Sequence, residues 1–241
     1  MMSGGLRTNL ATPSASADGT EGMNMEDRLE LDRPLTDALL DEGARKNWRR
    51  HLPVLDGVRV RLREIEPSDA TSLFTMLASE EITRFISPPP PTVEGFAGFA
   101  IWAESGRSAG SHACFAITLQ GCDTAIGIIQ VRPLDRNFET AEWGFALGSA
   151  FWGTGVFQEA AELVLEFVFH TLGVHRLEAR AAVQNGRGNG ALLKVGAVQE
   201  GVLRKSFLRN GRSSDQVLYA ILCDEWLESR AARKGALHRV H

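Results

Sequence analysis

Tyrosine occurs once in the 241 residues and cysteine three times. Cys114, Cys122 and Cys223 show no metal-type spacing and leave an odd thiol, so reduced thiols and a cytoplasmic home follow. The six histidines make no His-x-x-x-His or similar cluster, which argues against a metal site. No apolar run reaches the length of a bilayer span, and the first residues lack the apolar block of a secretory signal. A basic excess is missing too. The formal net charge of -4 argues against a general nucleic-acid or membrane-surface binder.

What is present is a hydrophobic content of 44%, enough to bury a full core in one domain with a tail. Residues 1 to about 30 are rich in Ser, Thr, Gly, Ala and Met and have no apolar periodicity. Such a segment cannot bury enough surface to offset its ordering entropy, so 1–34 is expected to be a disordered extension. Met23 and Met25 close this stretch and are candidate translation starts. A helical lead-in is expected over 35–53, with a helix from Leu35 to about Arg45 and a solvated basic run from Lys46 to Arg50. The main domain is expected over 54–228 and a polar tail over 229–241.

Within that domain, Val58 to Ile65 alternates apolar residues with Arg59, Arg61 and Arg63, the period of a half-exposed strand. Pro67 opens a helix to about Ala78, continued by a short turn over Glu80–Ile86. After the stiff Pro88–Pro91 break, Thr92 caps a helix to about Ser105. That helix carries Phe96, Phe99 and Trp102 on one face, either packed on a sheet or lining an acceptor groove. Three strands follow, over His112–Leu119, Thr124–Leu134 and Phe138–Leu147, the first two joined as a hairpin. Val156–Leu172 is a helix with apolar residues around much of its circumference, closed by Gly173. His175–Val183 returns as a strand, and a strand–helix–strand crossover places it parallel to the strand before the helix. A short helix over Ala191–Val195 precedes two strands, Val198–Leu208 and Ser213–Leu222, around the hairpin signal Asn210-Gly211. Asp224–Lys234 is an amphipathic last helix.

The stretch from Glu142 to Glu159 is where chemistry concentrates. Gly153 and Gly155 flank Thr154 where the long helix should begin. N–H groups at a helix start have no internal partner, and the helix dipole is positive there. Glycines let an anion approach the main chain, so a phosphorylated cofactor is the reading that these residues support.

The run Phe151-Trp152-Gly153-Thr154-Gly155-Val156-Phe157-Gln158-Glu159-Ala160 resembles the Trp-Gly-x-Gly-Tyr-Ala-Thr-Glu-Ala phosphate loop of the GNAT N-acetyltransferase superfamily, particularly its RimJ/RimL-like branch. Arg176–Arg180 is similar to that family's strand after the helix, and Asn185 with Leu193-Lys194-Val195-Gly196-Ala197 to its next motif. Glu200–Arg204 resembles the strand that follows. The likeness covers about Val54 to Leu227. It implies an α/β (α+β) fold, with a mixed, mostly antiparallel sheet of seven strands and helices on both faces. Two parallel strands at its centre splay apart. It also implies acetyl-CoA as cofactor, held by Phe145, Ala146, Leu147, Trp152, Gly153, Thr154, Gly155, Val156, Phe157 and Asn185. The acetyl group would pass to a primary amine, either a protein N-terminus or a small molecule, by direct attack in a ternary complex. The Pro88–Trp102 segment would shape acceptor choice, because it is the family's variable wall. A CoA-binding sensor without turnover is the alternative.

Direct attack requires a neutral amine, so a proton acceptor is needed. Glu142, on the strand edging the cleft, is the candidate base, or else a structural partner of Arg132 or Arg180. His112 is the second base candidate. Asn185 is assigned to the catalytic set, orienting cofactor or acceptor, with an Asx-type turn as its other role. Glu159 suits the first-turn dipole. Backbone N–H groups over Phe145–Leu147 would polarise the carbonyl. The sequence departs from the family at Val156, Phe157, Gly188 and Ala197. The changes at 156 and 188 remove hydroxyls able to reprotonate the leaving thiolate, and Tyr219 lies on a strand away from the loop, which leaves water for that step. Phe157 either crowds the phosphates or points into the core. A monomer or homodimer is expected, with the C-terminal hairpin edge and last helix as its contacts.

Overall fold

The computed structural model describes residues 47–209 and 211–237. The N-terminal extension, the starts at Met23 and Met25, the Leu35–Arg45 helix and Asn210 lie outside the described residues.

Two short strands, β1 (Leu55–Asp56) and β2 (Val60–Glu64), form a hairpin. A 3₁₀ turn over Pro67–Asp69 leads into α1 (Ala70–Leu77) and the single turn α2 (Glu80–Thr83). α3 (Val93–Ala109) is N-capped by Thr92, whose Oγ1 accepts from Gly95 N at 3.0 Å. It outruns the expected end at Ser105 because the first left-handed stop is Gly110, at φ 72°. The strands β3 (Ala113–Leu119), β4 (Cys122–Pro133) and β5 (Thr140–Leu147) form a meander. Its first turn is the two-residue Gln120-Gly121, with Gly121 at φ 78°. Then come α4 (Val156–Glu166), β6 (Arg176–Ala182), α5 (Gly186–Lys194), β7 (Val198–Arg209), β8 (Arg212–Leu222) and α6 (Cys223–Leu237). The last helix passes the boundary at 229 drawn for a polar tail.

The sheet has eight strands in the order β1-β2-β3-β4-β5-β6-β8-β7, one more than the expected seven. The extra strand is β1, whose two residues are too few to show a period in sequence. Among the described residues only β5 and β6 run parallel.

Helices cover both faces. Val156, Ala160, Ala161, Val164 and Leu165 of α4 are buried in one core layer with Phe115, Ile129 and Leu177. Leu73 and Leu77 of α1 and Phe96 and Ala100 of α3 are buried in the other, against Cys114, Ala116 and Ile128. Beyond Glu166 the helix widens into a π-helical turn over Phe167–Leu172, ended by Gly173 at φ 73°. Phe167 then meets Phe115 edge-on at 5.1 Å and Phe169 meets Trp226 at 5.1 Å, so the helix is covered on several sides.

α5 corrects the sequence reading most. A short helix over Ala191–Val195 was expected, yet it begins at Gly186. Gly186, Gly188 and Gly190 each oppose helix formation and hid its first turns. The Asn185 cap overcomes them, its Oδ1 accepting from Gly188 N at 2.9 Å.

Candidate active site

The sheet opens at its centre. β5 and β6 pair only over Thr140↔Arg176, Ala141↔Leu177 and Glu142↔Glu178. Past that point β5 is paired to β4 alone and β6 to β8 alone. Alternate N–H and C=O groups along Trp143–Leu147 therefore face the gap without a strand partner. Two cavities meet there, one of about 670 Å³ and one of about 1140 Å³. Both include Phe145, Ala146, Asn185 and Gly188 in their walls.

The smaller cavity runs along Trp152, Gly153, Gly155, Phe157 and the start of α5. Gly153 and Gly155 have φ of 75° and 84°, the left-handed region that other residues enter at a cost. Gly155 is the N-cap of α4 and has no side chain to cap it; apart from a long bond from Val156 N to Thr154 Oγ1 at 3.4 Å, the first-turn amides have no side-chain acceptor and suit an anion. The loop is fixed from three sides. Trp152 Nε1 donates to Leu147 O at 2.9 Å, and Thr154 Oγ1 to Phe151 O at 2.7 Å. From the rear, the Arg59 guanidinium donates to the carbonyls of Thr154 at 3.0 Å and Gly155 at 3.4 Å. With those carbonyls held behind, the amides face forward. These residues fit a diphosphate.

Phe157 is half-buried against the core, stacked on Trp143 at 6.2 Å, and also lines the smaller cavity. Its ring lies 4.1 Å from that of Phe145, and the pair forms a wall of the smaller cavity. Glu159 was expected to complement the helix dipole, and it also pairs with Arg59 at 2.9 Å. Burial pushes its carboxyl up, but hydrogen bonds from the Arg59 backbone and side chain outweigh this, so it sits below the usual value of 4.5.

The larger cavity lies on the α3 side. Its walls include Pro88–Pro91, Phe99, Trp102 and His112 on one flank and Glu142, Arg180, Phe207 and Gln216 on the other. The aromatic stripe of α3 splits: Phe96 is 1% exposed in the core, while Trp102 is 54% exposed and stacks on Phe99 and on His112. His112 is 6% exposed, its Nε2 has no partner among the described residues, and burial lowers its pKa from 6.5. The imidazole is therefore neutral near pH 7. Gly106 makes room for it, since a Cβ there would lie 1.8 Å from His112 Cε1.

Glu142 sits where the strands part, its side chain 12% exposed. It is ion-paired to Arg132, and Arg180 Nε lies 3.6 Å from its Oε1. Both structural partners named from sequence are thus engaged, and Glu142 lines the larger cavity. Asn185 spends its Oδ1 on the α5 cap, and the residue lines both cavities.

Several wall residues were not singled out in the sequence. Arg187, whose guanidinium stacks 4.2 Å over the Trp152 ring, and Lys194 line the smaller cavity one helical face apart from Gly190 and Ala191. Their basic character at i and i+7 of a helix was hidden because the helix itself was read too short. Tyr219 is buried on β8, where its hydroxyl donates to Asn189 Oδ1 at 3.0 Å. Asn189 Nδ2 in turn donates to Ala182 O and to Asn185 O at 2.8 Å, so the tyrosine braces the Asn185 turn.

An open parallel pair beside a glycine-bounded helix start is the arrangement the sequence resemblance implied. Residues 59–198, more than half of the chain, match the acetyltransferase (GNAT) domain. The uncharacterized N-acetyltransferase YoaA of Bacillus subtilis (strain 168) is 28% identical over 178 residues, 70% of this chain and 97% of that protein. The [ribosomal protein uS5]-alanine N-acetyltransferase of Escherichia coli (strain K12) is 27% identical over 106 residues, 44% of this chain and 55% of that protein. Mycobacterium smegmatis RimJ, solved in complex with CoA-disulfide, has the same fold, with a TM-score of 0.63 and 22% identity over 71% of this chain and 85% of its own. The chain belongs to the GNAT acetyltransferase family, and it is an acyltransferase with RimJ/RimL-like relatives.

Proposed function

We propose that this chain transfers the acetyl group of acetyl-CoA to a primary amine, with both substrates bound at once. The observation that carries the reading is the shared wall of the two cavities at Phe85, Ile86, Phe145, Ala146, Asn185 and Gly188. A donor in the smaller cavity and an acceptor in the larger one would meet only there. The amides of the loop at Gly153–Phe157 hold the diphosphate, with Trp152 and Thr154 fixing the loop's shape. The unpaired edge of β5 over Phe145–Leu147 takes the pantetheine arm as an added strand. Acetyl-CoA supplies the activated acyl group.

Glu142 serves as the proton acceptor. Positioned by Arg132 and Arg180, it draws an ammonium to the gap and takes its proton through water. With acetyl-CoA bound, the amine nitrogen would bond to the acyl carbon as the C–S bond breaks, and the proton the nitrogen then sheds would pass through water to the departing thiolate. Backbone N–H groups of β5 polarise the carbonyl, and the Asn185 amide orients the reacting groups. His112, neutral and on the same cavity, is the second candidate for the proton. The acceptor is a protein N-terminus or a small amine, by analogy with the relatives named for ribosomal-protein alanine and serine acetylation. The catalytic domain spans 54–228, acts as a monomer or homodimer, and works in the cytoplasm. Among the described residues no helix is long and apolar enough to cross a membrane.

The test is thiol release from acetyl-CoA in the presence of an amine panel. Amine-dependent release supports transfer. Heat stabilisation by CoA without release from any amine favours the sensor, a role first suggested by Phe157, whose ring leaves the cavity open.

A further inference from the structure

We infer that Arg209 and Arg212 form an anion clamp beyond the outer end of the acceptor cavity, and that the acceptor is a peptide carrying acidic side chains about eight residues beyond its amine. The inference rests on the reading of the larger cavity as the acceptor site and narrows its substrate class.

Arg209 and Arg212 are direct cross-strand partners at the end of the β7–β8 hairpin. Like charges opposite one another on a sheet are unfavourable unless something compensates them. Among the described residues neither arginine takes part in an ion pair. Arg209 Nη1 is moreover buried with no hydrogen-bond partner. A guanidinium nitrogen taken out of water and left unpaired is costly, and it marks a place where a partner is missing.

The pair lies on the cavity side of the sheet. Gln216 and Phe207 line the larger cavity. Along a strand, alternate residues share a face, so Ser214 and Arg212 lie on the face of Gln216, and Arg209 on that of Phe207. The register agrees, since Phe207 pairs with Ser214 and Arg209 with Arg212. A register shift between Leu203 and Phe207, with Lys205 at φ 51°, bends β7 here and re-aims the hairpin end. Glu142 is level with Ala220 across β6, so Arg212 lies eight residues farther out on β8, roughly 26 Å along the strand. An extended peptide whose amine reaches Glu142 would therefore bring about its eighth to tenth residues to the clamp. A small amine would not reach it. The opposite flank of the groove, Pro88–Pro91 with Phe99 and Trp102, presents apolar surface instead, so the acidic preference is set by the hairpin side.

The experiment uses the full-length protein and three acceptor pools. Two are decapeptide amides random at positions 1–7, one with Glu at positions 8–10 and the other with Lys. The third is a random tripeptide amide pool. For the wild type, kcat/KM should be about tenfold higher with the Glu pool than with the Lys pool. In Arg209→Gln/Arg212→Gln the gap should close to about twofold or less, with the tripeptide pool turned over at the wild-type rate. Transfer to the tripeptide pool tests the transferase reading by itself. Wild-type enzyme that acetylates tripeptides but ignores the Glu-for-Lys exchange overturns the clamp alone, as does a gap that survives the double substitution.

Discussion

Arg59 and Glu159, a hundred residues apart, are joined twice: the Arg59 backbone N–H donates to Glu159 Oε1 at 2.9 Å and its Nε to Oε2 at 2.9 Å. The same guanidinium reaches the carbonyls of Thr154 and Gly155. An N-terminal hairpin thus braces the phosphate loop from behind. Removing the brace should cost affinity for the diphosphate and nothing else. Arg59→Gln is expected to raise the KM for acetyl-CoA about tenfold, the size of one charge-assisted contact. Acetyl-pantetheine, which lacks phosphates, should be used equally by variant and wild type. Equal losses with both donors would contradict the brace.

Gly155 adopts φ 84°, and a Cβ there would lie 2.9 Å from Arg59 Nη2. Gly155→Val meets both obstacles, with a backbone cost of roughly 1–2 kcal/mol for the left-handed conformation alone. The expected result is a CoA dissociation constant raised at least about tenfold by calorimetry. Unchanged affinity would remove the loop from the binding site.

If Glu142 accepts the proton, Glu142→Gln should lower kcat/KM most at the acidic end of the pH profile, where the amine is most protonated. An unaltered profile removes the role from Glu142. His112→Asn, measured alongside, then shows whether the neutral imidazole carries it instead.

Burial also ties His112 to stability. Its pKa is lowered in the folded state, so between that value and 6.5 the unfolded chain binds more protons. Its contribution is therefore intact above pH 6.5 and is lost as pH falls toward the folded value. His112→Asn should flatten the urea-unfolding midpoint between about pH 6.5 and 5. Glu159 acts in a lower window: its depressed pKa gives stability present above 4.5 and lost as pH falls through the folded value.

The sequence made the meander, the crossover and the loop legible because their signals are local. Alternation marked β3–β5, the Gly153 and Gly155 pair marked the start of α4, and Gly173 marked the end of that helix. The parallel β5–β6 pair followed from the connection between them. What stayed hidden depends on distant or masked signals. Arg59 reads as one exposed residue of an alternating strand until the fold brings it to Thr154. α5 was obscured by its own glycines, and with it the inward face bearing Arg187 and Lys194. The two guanidiniums flanking Glu142 could be named as partners, but that both engage it at once is a property of the register across β4, β5 and β6.

The most direct test is a crystal structure of this protein with CoA. The account predicts the diphosphate on the amides of residues 153–157 and the pantetheine arm along β5 between Trp143 and Leu147, its sulfur at the wall shared by the two cavities. Density for CoA elsewhere, or a β5–β6 gap closed by direct strand pairing in the complex, would contradict it.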